Sequence, residues 1–136
     1  MGSNSNVVMN YRASAAEATA VVAEIEGLGR RALAIRADVT RAPEVTHLIE
    51  QGSSALGPIA ILVNNAGITR PQATEDVTET DWNDILLANL TSAFLVTQAV
   101  LRGCGRRAGA GSSICPPSRL RPAVWPARIM PPRRPG

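Results

Sequence analysis

An α/β fold with a parallel sheet follows from three features of the 136-residue sequence. Short β-branched apolar runs alternate with segments of helical periodicity, glycines close the helical segments, and Gly57-Pro58 sets off an apolar run at Ile59–Val63. Strands that alternate with helices are joined by right-handed crossovers, and such crossovers make parallel sheets. The aromatic share is only 3%, so the core must be built from Val, Ile, Leu and Ala.

The elements read off in order. Val7-Val8-Met9 is a short buried strand. Ser14 with Glu17 has capping-box spacing, and Val21, Val22, Ile25 and Leu28 recur with helical period before Gly29, which predicts a helix over about 14–28. Ala32–Ile35 is a second strand, ending at Asp38-Val39. Thr40 is the expected cap of a second helix, with Pro43 in its first turn and Val45, Leu48, Ile49 and Leu56 as its buried stripe. Gly52-Ser53-Ser54 weakens its last turns. Ile59–Val63 is a third strand. Thr80 is the expected cap of a helix over about 81–101, with an apolar face of Trp82, Ile85, Leu86, Ala93, Phe94, Val96, Val100 and Leu101.

Charge divides the chain. Residues 1–101 hold 6 Arg and all 11 acids, whereas residues 102–136 hold 8 Arg and no acid, with 7 of the 10 prolines. No lysine occurs anywhere. This composition predicts a disordered tail over 102–136, behind a folded domain over 1–101. No uninterrupted apolar run approaches the length of a membrane span and no signal-peptide pattern opens the chain. The expectation is a soluble, cytoplasmic protein with no membrane partner. Cys104 and Cys115 with the single His47 make no plausible zinc set, so no metal is expected and the cysteines read as free thiols.

Several short stretches carry a resemblance. Val8-Met9-Asn10-Tyr11-Arg12-Ala13-Ser14, Asp38-Val39 at a strand end, Asn64-Asn65-Ala66-Gly67 directly after Ile59–Val63, and Asn89 within Asn89-Leu90-Thr91-Ser92-Ala93-Phe94 together resemble the classical short-chain dehydrogenase/reductases over about residues 6–101. Among these the look is nearest to 3-oxoacyl-acyl-carrier-protein reductases, with glucose 1-dehydrogenases second. The resemblance implies a partial Rossmann-like, doubly wound parallel sheet whose strands here are the equivalents of strands 2–4 in the order 3-2-1-4-5-6. With no strand between the equivalents of 2 and 4, two apolar edges stay open, and a chain of low stability is expected.

Each site residue also has a plainer reading. Asn65, Ala66 and Gly67 could be turn formers, but the resemblance makes them cofactor contacts. Asp38 could be a helix cap, while the resemblance sets Asp38 and Val39 against the adenine. Arg12 could be a solvated charge. In the family an acid at this place grips a ribose hydroxyl and a base pairs with a ribose phosphate, and Asn10-Tyr11-Arg12 offers only a guanidinium, favouring NADP(H) over NAD(H). Asn89 could bond a neighbouring backbone, since a buried, unpaired Asn is costly in a helix. The resemblance assigns it to a catalytic tetrad that holds a water in a proton relay.

The implied reaction is hydride transfer between a nicotinamide and a carbonyl or alcohol carbon, on a small-molecule or acyl-thioester substrate, in a homo-oligomer. It needs a Tyr whose pKa is lowered by a Lys four residues on, and a glycine-rich turn for the pyrophosphate. Neither pattern occurs in this sequence, where Tyr11 is the one tyrosine, so the chain is expected to be inactive alone. Two other roles compete. One is a nucleic-acid-binding arm over 102–136, disfavoured because Trp125 is its sole aromatic. The other is an interaction role for the Thr80–Leu101 helix with a relative.

Overall fold

In the computed structural model, residues 5–107 and 121–123 are described. The order is β1 (Val7–Tyr11), α1 (Ala15–Gly27), β2 (Ala32–Arg36), α2 (Ala42–Leu56), β3 (Ile61–Val63), a 3-10 turn (Thr74–Asp76), α3 (Glu79–Leu86), a π-turn (Leu87–Thr91), α4 (Ser92–Arg107) and β4 (Arg121–Ala123). The expected α/β alternation is therefore present. β1 and β2 pair in parallel, with Val7 opposite Ala32 and Tyr11 opposite Arg36. β3 pairs in parallel with β4, Ile61 opposite Arg121. These are two separate two-stranded sheets. The equivalents of strands 2 and 4 do not pair, as the doubly wound order requires.

The Asn10 side chain reinforces the first ribbon. Its Nδ2 donates to the carbonyls of Ala37 (2.9 Å) and Ile35 (3.3 Å), so an amide on β1 satisfies carbonyls where β2 ends. Ala37 N donates to Tyr11 O at 3.0 Å, extending the ladder by one residue. The paired strands thus end together, and that level is where the site lies.

Val45, Leu48 and Ile49 of α2, Val96 and Val100 of α4, Ile35 of β2 and Ala37 just after it form the buried core, with Val8, Leu33, Val39, Ile59 and Leu62 packed against it. Gly52 has a role beyond weakening a helix turn. A Cβ there would lie 3.0 Å from Val8 Cγ2, so glycine lets α2 approach β1. Gly29 adopts φ +76°, and its amide bonds Glu26 O at 2.9 Å, the left-handed helix ending expected of it.

Several sequence expectations need correction. Ser14 and Arg41 occupy the N-caps of α1 and α2, and neither makes a side-chain capping bond. The Thr40 hydroxyl is turned to Asp38 instead. The third helix is capped by Thr78, not Thr80, in a full capping box with Asp81. Bonds from the Thr78 hydroxyl, then Gln72, then the Thr78 amide hold the Asp81 carboxyl down to about 2. The third strand is Ile61–Val63, shorter than expected, and Ile61 and Val63 are exposed.

The apolar faces also differ from expectation. Only Ala18 of α1 is buried, and Leu28 is 78% exposed. A helix about 10 Å across cannot be covered by two strands about 4.8 Å apart. Trp82, Phe94 and Leu101 are exposed, although Val96 and Val100 are buried as expected. The last helix continues to Arg107, and residues 121–123 form a short strand. The remainder of 102–136, on which the expected tail and Cys115 fall, lies outside the described residues. The continuous helical stretch Glu79–Gly103 holds an 18-residue window of mean hydropathy 1.5, long and apolar enough to cross a membrane by length and composition alone. Asn89, Thr91, Ser92, Thr97 and Gln98 are scattered through it, so no uninterrupted apolar run spans it.

Burial differences within one helix give a direct test. Val100→Ala, at a residue 1% exposed, is expected to cost roughly 2 kcal/mol. Phe94→Ala, at a residue 60% exposed, should stay within about 0.5 kcal/mol. Urea unfolding of both variants checks the contrast, and equal losses would contradict this packing.

Candidate functional site

The site residues fall into two groups at the carboxyl ends of strands. The first gathers where β1 and β2 end. Arg12 follows β1 directly, and its Nε lies 3.6 Å from Asp38 Oδ2. Asp38 follows β2 by two residues. Its Oδ1 accepts from the Thr40 hydroxyl (2.6 Å) and the Thr40 amide (3.0 Å), while its own amide donates to Glu44 Oε2 at 2.7 Å. Glu44 stands in the first turn of α2 and also meets Arg41 Nη1 at 3.2 Å. Val39 is half-buried against the core.

These contacts hold the Asp38 carboxyl below the ordinary aspartate range. The Thr40 hydroxyl bond is the largest cause and the Thr40 amide bond the next, with burial opposing and the Arg12 and Arg41 charges assisting. Arg12, Arg36, Asp38 and Glu44 line an open cleft of about 400 Å³. Arg36 is anchored there through its Nε, which donates to Arg12 O at 3.2 Å. A cleft of that size, walled by two guanidinium groups and two carboxylates, can hold a polar ligand bearing both donors and an anionic group.

The second group surrounds the loop after β3. Asn64 is half-buried, and its Nδ2 donates to the Thr97 hydroxyl of α4 at 3.3 Å. Asn65, Ala66 and Gly67 are exposed. Asn89 lies in the π-turn, a helix irregularity common at functional sites. Its side chain makes a two-point clamp on Ile68: Oδ1 accepts from Ile68 N at 2.6 Å and Nδ2 donates to Ile68 O at 2.9 Å. Thus the plainer reading of Asn89, a bond to nearby backbone, is what the geometry contains, and Asn89 is exposed, not buried in an apolar face.

Gly67 is required by this clamp, since a Cβ there would fall 2.8 Å from Asn89 Oδ1. Arg70 pins the loop a second time, to Asp81 (2.8 Å) and Asp84 (3.2 Å). The structure therefore brings Arg12 to Asp38, and Gly67 to Asn89. Sequence reasoning passed over Arg36, Glu44, Ile68 and Thr97. The place of Glu44 in the first turn of α2, soon after Asp38, is the signal that could have found it, whereas Arg36 comes to notice only through its register with Tyr11.

The short chain dehydrogenase family model matches residues 1–114. The chain belongs to that family. The match runs 13 residues beyond Leu101, so the family segment extends past the compositional seam, in keeping with the continuation of α4. A 3-oxoacyl-acyl-carrier-protein reductase from Synechocystis is 45% identical over 94 residues, spanning 69% of this chain and 38% of the relative. A Burkholderia cenocepacia short chain dehydrogenase in complex with NADP is 41% identical with TM-score 0.67, over 71% of this chain and 40% of that one. A blue fluorescent protein from a metagenomic library, in complex with NADPH, is 35% identical with TM-score 0.66, over 72% and 40%. The chain thus spans about two fifths of the length of these relatives, and the fold is the corresponding part of a Rossmann-like sheet.

Two measurements test the geometry. In Thr40→Val the Asp38 carboxyl loses its strongest bond, so its pKa should rise toward the ordinary aspartate value by carboxyl NMR titration. Because the folded-state pKa is depressed, the stability Asp38 contributes is present above about pH 4 and is lost as pH falls through the folded value. The variant should lose it at higher pH than the parent. In Asn89→Ala the Ile68 amide should exchange with solvent roughly tenfold faster, and an unchanged rate would show that the clamp does not form in solution.

Proposed function

We propose that this chain is the adenosine-binding part of an NADP(H)-dependent short-chain dehydrogenase/reductase. The family reaction would be hydride transfer to or from a carbonyl or alcohol such as a 3-oxoacyl thioester. The observation that carries the reading is the cleft at the carboxyl ends of β1 and β2, where Arg12 stands 3.6 Å from Asp38. Ligands of open α/β sheets bind at such ends. A depressed carboxyl that stays anionic can accept from an adenine amine, and an exposed guanidinium suits a ribose phosphate. Two of the similar structures bear names that record NADP or NADPH as their ligand, which supports the choice of cofactor, and the Synechocystis relative supports the acyl-thioester class.

The residues at hand fit the adenosine end of the dinucleotide. When bound, the nicotinamide would supply or accept the hydride. Asn65, Ala66 and Gly67 would form the wall along the cofactor, with Asn89 holding that loop through Ile68. For Asn89 to hold a relay water as well, its amide would have to share or release the Ile68 bonds. The 136 residues contain no lysine, and their one tyrosine lies in β1, so this stretch does not itself provide the Tyr/Lys pair for proton transfer. Its role is to bind and orient the cofactor, and by itself it is expected to be inactive.

A second reading concerns the helix face. Leu86, Leu87, Leu90, Phe94 and Leu101 are all exposed on Glu79–Gly103, while Val96 and Val100 are buried against the core. A helix already committed to protein on one side favours a subunit contact with another family chain over insertion into lipid.

Titration of the purified chain with NADPH and NADH, followed by nicotinamide fluorescence, tests the main reading. NADPH is expected to bind at least about tenfold more tightly, Arg12→Glu should abolish that preference, and no 3-oxoacyl thioester should be turned over. Equal affinity for the two nucleotides would remove the NADP(H) assignment. Turnover would remove the claim that the chain is inactive alone.

A further inference from the structure

We infer that Arg36 is a second specificity residue, which with Arg12 receives a phosphate monoester on the ribose of a nucleotide bound where β1 and β2 end. This rests on the NADP(H) reading and adds to it a residue that the family resemblance did not point to.

The charges around the cleft lead to Arg36. Four ionisable residues line it: Arg12, Arg36, Asp38 and Glu44. Both carboxylates are already engaged. Asp38 Oδ1 takes two bonds from Thr40, and its Oδ2 faces Arg12 at 3.6 Å. Glu44 Oε2 takes the Asp38 amide, and its Oε1 faces Arg41. Arg12 therefore shares its charge with Asp38. Among the described residues the Arg36 side chain makes no ion pair, and its one hydrogen bond, from Nε to Arg12 O, leaves both terminal nitrogens to spare.

The same bond fixes where that spare charge sits. Tyr11 and Arg36 are register partners in the parallel ribbon, so Arg36 stands on the neighbouring strand one residue short of Arg12. The Nε bond holds the Arg36 guanidinium against the Arg12 backbone, and the Asp38 contact holds the Arg12 guanidinium at the same cleft. A phosphate monoester carries about −1.5 to −2 charges near neutral pH, and one guanidinium already facing a carboxylate matches that poorly. Two guanidinium groups, one of them without a carboxylate, match both the charge and the paired acceptor oxygens. Free inorganic phosphate offers the same chemistry, and the test separates it from the nucleotide.

The full chain is titrated calorimetrically with adenosine 2′,5′-bisphosphate, adenosine 5′-monophosphate and inorganic phosphate, as the parent and as Arg12→Gln, Arg36→Gln and Arg36→Lys. The parent should prefer the bisphosphate over the monophosphate by about tenfold or more, the scale of one hydrogen-bonded charge. Arg36→Gln should cut that preference several-fold while leaving monophosphate affinity and thermal melting unchanged, and Arg36→Lys should keep most of it. If Arg36→Gln retains the parental preference while Arg12→Gln loses it, the Arg36 assignment fails and the NADP(H) reading stands. If the parent shows no preference, or binds neither nucleotide, both fail. Inorganic phosphate binding as tightly as the bisphosphate would overturn the assignment to a ribose phosphate.

Discussion

Parallel pairing of β1 with β2 is the constraint on which the candidate site depends. Two parallel strands joined by a crossover helix must end on the same side, so residues 26 positions apart in sequence, Arg12 and Asp38, meet at one level. Register sharpens this, since Tyr11 opposite Arg36 puts the next residues of each strand side by side. The Asn10 amide closes the ribbon at that level by taking up the Ala37 carbonyl. An apolar residue at position 10 would leave that carbonyl without this partner and free the Ala37–Thr40 turn that shapes Asp38.

The narrowness of the sheet has consequences away from the site. Two ribbons of two strands cannot cover the helices laid against them, so α1 buries little and the Glu79–Gly103 helix keeps leucines and Phe94 in the open. The core is accordingly built where α2 meets α4 and β2, from small and medium aliphatic side chains. The loop after β3 is held differently, by polar contacts from the helix stretch: Asn89 on Ile68, and Arg70 between Asp81 and Asp84. Packing orders the first half of the chain and hydrogen bonds order this loop.

Much of this was legible in the sequence, and what was not has identifiable causes. The apolar runs Val7–Met9 and Ala32–Ile35 gave β1 and β2, Gly29 gave the end of α1, and the Val45, Leu48, Ile49 stripe gave the buried face of α2. Asp38-Val39, two residues past β2, and Asn64–Gly67, directly after β3, marked the strand ends where the candidate site lies. Hydroxyl capping was misjudged at Ser14, Thr40 and Thr80, since a short side chain can serve whichever acceptor or amide the loop presents, as Thr40 does with Asp38. Trp82 and Phe94 follow an apolar pattern yet stay exposed, because pattern records which face is apolar and not whether anything covers it. Asn89 looked like a polar group within an apolar helix face. The π-turn rotates it outward to clamp Ile68, and no local residue signal announces that irregularity. Arg36 was invisible until the register placed it beside Arg12.

The central claim is that a nucleotide's adenosine end binds where β1 and β2 terminate. Mapping amide chemical-shift changes on addition of NADP+ tests it most directly. The changes should concentrate at Arg12, Ala37, Asp38 and Val39, with smaller ones at Asn65–Gly67. Changes confined to the Glu79–Gly103 helix, or none at saturating nucleotide, would contradict the account.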